Sequence, residues 1–78
     1  MQRFYFDFFD TDDVPIPDVD GTELPSVEAA KDEAVQALIG LANDIKLNGH
    51  EKKLQFKVRD DDGRELFEVS LQLDVQPL

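Results

Sequence analysis

Few side chains in this chain are equipped for chemistry, and they are unevenly spread. His50 is the single histidine and cysteine is absent, which excludes a cysteine nucleophile, a thiolate metal site and a disulfide framework. A serine hydrolase would need His50 beside Ser26 or Ser70. Neither serine stands in a nucleophile elbow, and no glycine-rich oxyanion loop accompanies them. One imidazole with carboxylates is a poor ligand set for structural zinc, so His50, following Gly49, reads as a solvated turn residue.

Carboxylates are abundant, and two stretches, Asp18-Val19-Asp20-Gly21 and Asp60-Asp61-Asp62-Gly63, contain the Asp-x-Asp-Gly core of an EF-hand loop. Aligning Gly21 to the loop glycine puts Ile16 and Val27 at the two end positions; aligning Gly63 puts Val58 and Val69 there. Those end positions require carboxylates, so neither stretch is an EF-hand. A looser divalent site among Asp10, Asp12, Asp13, Asp18 and Asp20 is the alternative to a solvated acidic loop. No glycine-rich run joins a strand to a helix to cradle phosphate. Paired carboxylates for glycoside hydrolysis would need a deep cleft that so small a chain can hardly form. The expectation is a protein that is not an enzyme and holds no cofactor and no metal.

Eighteen acidic residues against eight Lys and Arg give a net charge of −10, which opposes nucleic acid and anionic membranes and leaves a protein, small-molecule or cationic partner. The bland reading is that acidity keeps a small domain dispersed. Seventy-eight residues make one domain, 1–78, of a size that buries only about 60% of its unfolded surface, and self-association would extend its core. The longest apolar stretch, Ala37 to Ala42, falls far short of the roughly 20 residues that span a bilayer. The chain reads as soluble and cytoplasmic.

Residues 3–9 alternate Phe4, Phe6 and Phe8 with Arg3, Tyr5, Asp7 and Phe9, predicting a first strand. An acidic loop follows over 10–25, holding three of the four prolines, with a short extended piece near Thr22-Glu23-Leu24. Ser26 offers an N-cap to a helix over 27–47, with Glu28 near the positive end of its dipole and Lys46 near the other. Its apolar stripe is Val27, Ala30, Ala34, Leu38, Leu41 and Ile45, widened by Val35, Ile39 and Ala42, and Asn48-Gly49 supplies a stop. The remainder predicts a hairpin of strands 53–59 and 65–75 turning at Asp62-Gly63. The register sets Val58 against Phe67, Phe56 against Val69, Leu54 against Leu71 and Lys57 against Glu68.

The expected fold is α+β, β-α-β-β, one amphipathic helix packed on one face of a three-stranded mixed sheet. A right-handed crossover would make the first two strands parallel, and the last, longest and most apolar strand would lie between them, giving the order 1-3-2. Four segments, Arg3 to Asp7, Asp20 to Pro25, Glu28 to Ala34 and Val58 to Arg64, in that order and spacing resemble a family of short uncharacterised proteins from rhizobia and related alphaproteobacteria. The resemblance covers nearly the whole chain and implies one small cytoplasmic bacterial domain, without an activity to transfer. The proline-rich Val14 to Pro17 stretch departs from it.

The sheet face away from the helix is the surface expected to work. It gathers Arg3, Tyr5 and Phe9 with Lys53, Lys57, Arg59 and Leu66, adding apolar area to a face that patterning would leave polar. The leading expectation is a noncatalytic protein-interaction module, homodimeric through this outer face or through an open edge. An acidic adaptor or antitoxin-like protein, meeting a basic partner with its Asp-rich loop, is the alternative. A third reading has Tyr5 and Phe9 stacking single-stranded nucleic acid, against the sign of the net charge.

Overall fold

The computed structural model describes residues 1–11, 13–45 and 49–78. Among these residues the chain forms strand β1 (Gln2–Asp10), strand β2 (Thr22–Leu24), helix α1 (Val27–Ala42), strand β3 (Glu51–Arg59) and strand β4 (Glu65–Asp74). They build one four-stranded sheet in the order β2-β1-β3-β4, and every neighbouring pair is antiparallel.

The expectation of a three-stranded mixed sheet in the order 1-3-2 is corrected on three counts: strand number, order and direction. One event accounts for all three. After β1 the chain turns back along that strand's free edge and adds β2 to it, with Gln2 opposite Leu24 and Phe4 opposite Thr22. Direction has therefore reversed before α1 begins. The helical crossover links β2 to β3, which run the same way with β1 between them, so β3 meets β1 antiparallel, Phe6 opposite Val58 and Phe8 opposite Phe56. Its tight hairpin then leaves β4 outermost.

The hairpin pairs as its alternation requires: Leu54 with Leu71, Phe56 with Val69, Lys57 with Glu68 and Val58 with Phe67. Asp60 closes the turn, its backbone N–H donating to the Arg64 carbonyl and its carboxylate accepting from the Asp62 and Arg64 amides. Gly63 takes a φ of +82°, a left-handed conformation open to glycine. Beyond Val58 the register shifts, and Arg59 lies opposite Glu65. Leu66 is thus the extra residue of a bulge and leaves the alternation. It packs against the core, which corrects its assignment to the outer face.

Ser26, extended at φ −161°, caps α1 by accepting from the Ala29 amide at 3.1 Å. The helix stops at Ala42, short of the expected 47. Asn43 and Asp44, whose side chains compete for backbone hydrogen bonds, follow as tightened turns, with Asp44 N–H on the Leu41 carbonyl. Lys46, the expected dipole partner, Leu47 and Asn48 lie outside the described residues; Gly49, the other half of the expected stop, has a positive φ of +117° but stands seven residues beyond the helix end.

Phe4, Leu54, Phe56 and Val58 from the sheet and Ala30, Ala34 and Leu38 from the helix form the buried core. Phe6 and Phe8 meet the Phe56 ring at centroid distances of 6.2 and 5.3 Å. The two helix alanines let the helix lie close to the large sheet residues. The flanks of the helix stripe do not share this burial: Val35 and Ile39 stay exposed, at 40% and 50%.

Candidate functional site

Six of the seven residues expected on the outer face are brought together there by β1 and β3. Tyr5 lies opposite Arg59 and Asp7 opposite Lys57. Arg59 stacks its guanidinium 4.6 Å from the centroid of the Tyr5 ring, and the Lys57 ammonium sits 5.3 Å from that of Phe9. Each aromatic ring of this face is thus already engaged by a cation. Arg3 donates to the Asp20 carbonyl at 2.7 Å and pairs with Glu23 at 3.2 Å. Lys53 is exposed, while Glu68 accepts from Gln55 at 2.7 Å.

A polar network joins this face to the acidic loop. Arg59 Nε donates to Asp7 Oδ2 at 2.8 Å and its terminal nitrogen to the Asp18 carbonyl at 3.0 Å. Burial pushes the Asp7 carboxyl up, but the bond from Arg59, the bond from the Asp18 amide and the guanidinium charge together hold it below its ordinary value. The bond to Asp7 pushes Arg59 up against its own partial burial. Burial, followed by donation of its hydroxyl to Asp61 at 3.1 Å, pushes the Tyr5 phenol up.

Asp18 shows what the acidic loop does. Its Oδ2 accepts from the Phe6 amide at 3.0 Å and its Oδ1 from the Gly21 amide at 3.1 Å, while its own amide donates to Asp7 at 2.9 Å. Two residues earlier in the loop, Ile16 and Phe8 exchange both backbone hydrogen bonds at 2.9 Å. The outward N–H groups of β1 at Phe4, Phe6 and Phe8 are therefore all taken: Phe4 by β2, Phe6 by a carboxylate standing in for a strand, Phe8 by Ile16. Gly21 permits this closeness. Its φ is +72°, and a Cβ there would come within 2.9 Å of both Arg3 Cγ and Tyr5 Cε2. Among the described residues no three carboxylate or imidazole groups converge to hold a metal ion.

Among the described residues, nothing pairs with the other edge of the sheet. Thr11 N–H bonds the Lys53 carbonyl and Val75 N–H the His50 carbonyl, so odd-numbered residues of β3 turn their backbone groups to β1 and even-numbered ones to β4. With Leu54 opposite Leu71 and Phe56 opposite Val69, the odd residues of β4 bond β3. The amides and carbonyls of Glu68, Ser70 and Gln72 point away from the sheet. Beside this edge, on the helix side, lies an apolar groove of about 260 Å³ lined by Val35, Leu38, Ile39, Val69, Ser70 and Leu71. Leu73 and Val75 continue its apolar character and are exposed.

Two further features were not expected from the sequence. Lys52 turns to the helix side and pairs with Asp10 at 3.2 Å, both side chains nearly buried at 10% and 12%. A shallow polar depression of about 480 Å³ is lined by Arg3, Glu23, Asp60 to Asp62 and Arg64.

Comparison with known families supplies an identity for this arrangement. Residues 3–72 match the model of a domain of unknown function, DUF6894. The chain belongs to that family. The DUF6894 match takes in β2, α1 and β3 whole, β1 from its second residue and β4 as far as Gln72. No curated protein and no solved structure matches the chain. No helix among the described residues is long and apolar enough to cross a membrane.

Proposed function

We propose that this DUF6894 chain is a noncatalytic protein-interaction module that engages its partner through the open edge of β4. One observation carries the reading: the two edges of the sheet are treated oppositely. The β1 edge is closed by a loop that spends a carboxylate, a two-bond bridge and a short strand on it. The β4 edge presents the unpaired backbone of Glu68, Ser70 and Gln72 beside an apolar groove, the arrangement by which an extended segment adds to a sheet. The outer face, the other surface expected to work, is supported less well, because Tyr5 and Phe9 lie under Arg59 and Lys57. The same cations stand where a nucleic-acid base would stack. The proposed setting is the bacterial cytoplasm, a reading that rests on the sequence resemblance.

Site-specific photocrosslinking in the native cell tests this. A photoreactive residue at Ser70 or Gln72 should capture protein adducts, and the same residue at Phe9, on the outer face of β1 and two strands from that edge, should not. Adducts from Phe9 with none from Ser70 or Gln72 would contradict the proposal.

A further inference from the structure

Resting on that edge reading, we infer that the segment added to β4 is the β4 strand of a second copy, paired antiparallel about a two-fold axis at Ser70. An antiparallel strand pairs with itself only if its two halves match when the chain is reversed, and β4 meets this condition. Centring the axis on Ser70 sets Ser70 opposite its own equivalent and Glu68 opposite Gln72 of the second copy, on the outer face. On the helix side it sets Val69 opposite Leu71 and Phe67 opposite Leu73, so from Phe67 to Leu73 each apolar residue meets an apolar one. The backbone parity agrees, because the outward groups belong to Glu68, Ser70 and Gln72, which this register pairs with one another. Moving the axis to Leu71 would instead set Glu68 against Asp74, like charges face to face.

The groove fits the same occupant. Val69, Leu71 and Leu73 of the second copy would enter the helix side of the joined sheet beside Val35 and Ile39, the flank of α1 that the sheet of one copy leaves exposed. A two-fold operator then brings the two helix flanks toward each other, closing a continuous eight-stranded sheet under two helices. This gives a core that has seven buried residues among those described the extension that a domain of this size lacks. The net charge of −10 on each copy opposes pairing through long-range repulsion, which salt screens. Self-pairing must therefore tighten as salt rises, whereas capture of a basic strand would weaken.

Sedimentation of the full chain over micromolar to high-micromolar concentrations, at about 0.15 M and about 0.5 M salt, tests the inference. The wild type should pass from monomer to dimer, with the dimer favoured at the higher salt. Ser70→Pro removes an outward N–H that bonds nothing within the sheet of one copy, and edge strands accept proline at such positions. It should weaken the dimer more than tenfold while circular dichroism stays unchanged. Ile39→Lys, on the exposed helix flank, should weaken it as well and leaves the strand intact should the proline variant misfold. A wild type that stays monomeric at high micromolar concentration and high salt would overturn self-pairing. Should crosslinks from Ser70 then reach a different protein, the edge reading stands and only the identity of the occupant falls. A dimer indifferent to both variants would overturn the edge as well.

Discussion

Replacing Asp18 by alanine tests whether one carboxylate closes the β1 edge. Its two oxygens accept from the Phe6 and Gly21 amides at 3.0 and 3.1 Å, and the residue is half-buried. Hydrogen bonds to an ionised acceptor contribute about 1.5–3 kcal/mol each, and partial exposure lets water replace some of that, so losing both should cost about 2–3 kcal/mol. In a domain of this size that lowers the melting temperature by roughly 8–24 °C. Asp18→Asn should cost nearly as much, because an amide carries one acceptor oxygen and would turn its NH₂ toward one of the two N–H groups. Urea unfolding at neutral pH measures the loss. Amide exchange adds the local readout, since Phe6 N–H should exchange through local opening in the alanine variant. An Asp18→Ala protein within about 0.5 kcal/mol of wild type, the range of ordinary surface substitutions, with Phe6 still protected would refute the reasoning.

Three other outcomes follow from the geometry. Gly21→Ala should destabilise by about 2–3 kcal/mol, from the left-handed φ and the contacts with Arg3 and Tyr5, whereas Gly40→Ala, helical with nothing within 4 Å of the new methyl, should stabilise by about 0.5–1 kcal/mol; thermal melts of the two give opposite signs. The Asp7 carboxyl is held below its ordinary value of 3.8 in the folded chain, so its stabilisation is complete above the unfolded pKa and is lost as pH falls through the lower folded one. Urea unfolding from about pH 5 to about pH 2 should therefore show wild type and Asp7→Asn converging at the acid end; a constant gap would contradict the pairing with Arg59. Tyr5→Ser with Phe9→Ser should lower the unfolding midpoint in urea, by removing the rings under Arg59 and Lys57, and leave sedimentation unchanged.

The parts of the fold that strict alternation encodes were legible in the sequence. The hairpin register follows from Leu54, Phe56 and Val58 facing Phe67, Val69 and Leu71, and a one-residue slip would bury charge. The grouping of Tyr5, Phe9, Lys57 and Arg59 on one face follows from the same period. The strand order was not legible, because it turns on the loop after β1. There the pairing is done by three residues of β2, one bridging residue flanked by prolines and one aspartate side chain, none of which has a periodic signature. The crossover rule holds for β2 and β3, which run the same way, and not for β1 and β3. The bulge at Leu66 escaped notice because one inserted residue beside a turn leaves the rest of the alternation intact. Lys52 has no place in the expected strand 53–59, because β3 begins two residues earlier, at Glu51. The open edge could have been found only from the strand order.

Residue-resolved amide exchange, on the free chain and on its complex with a second copy or with a protein captured through Ser70, tests the open-edge account most directly. In the free chain the amides of Phe4, Phe6 and Phe8 should be protected by β2, Asp18 and Ile16. Those of Glu68, Ser70 and Gln72 should exchange freely while Val69 and Leu71 between them are protected. On complex formation the protection of Glu68, Ser70 and Gln72 should rise and that of β1 stay as it was. New protection confined to β1 or to the loop before β2, with the β4 amides still exchanging freely, would contradict the account.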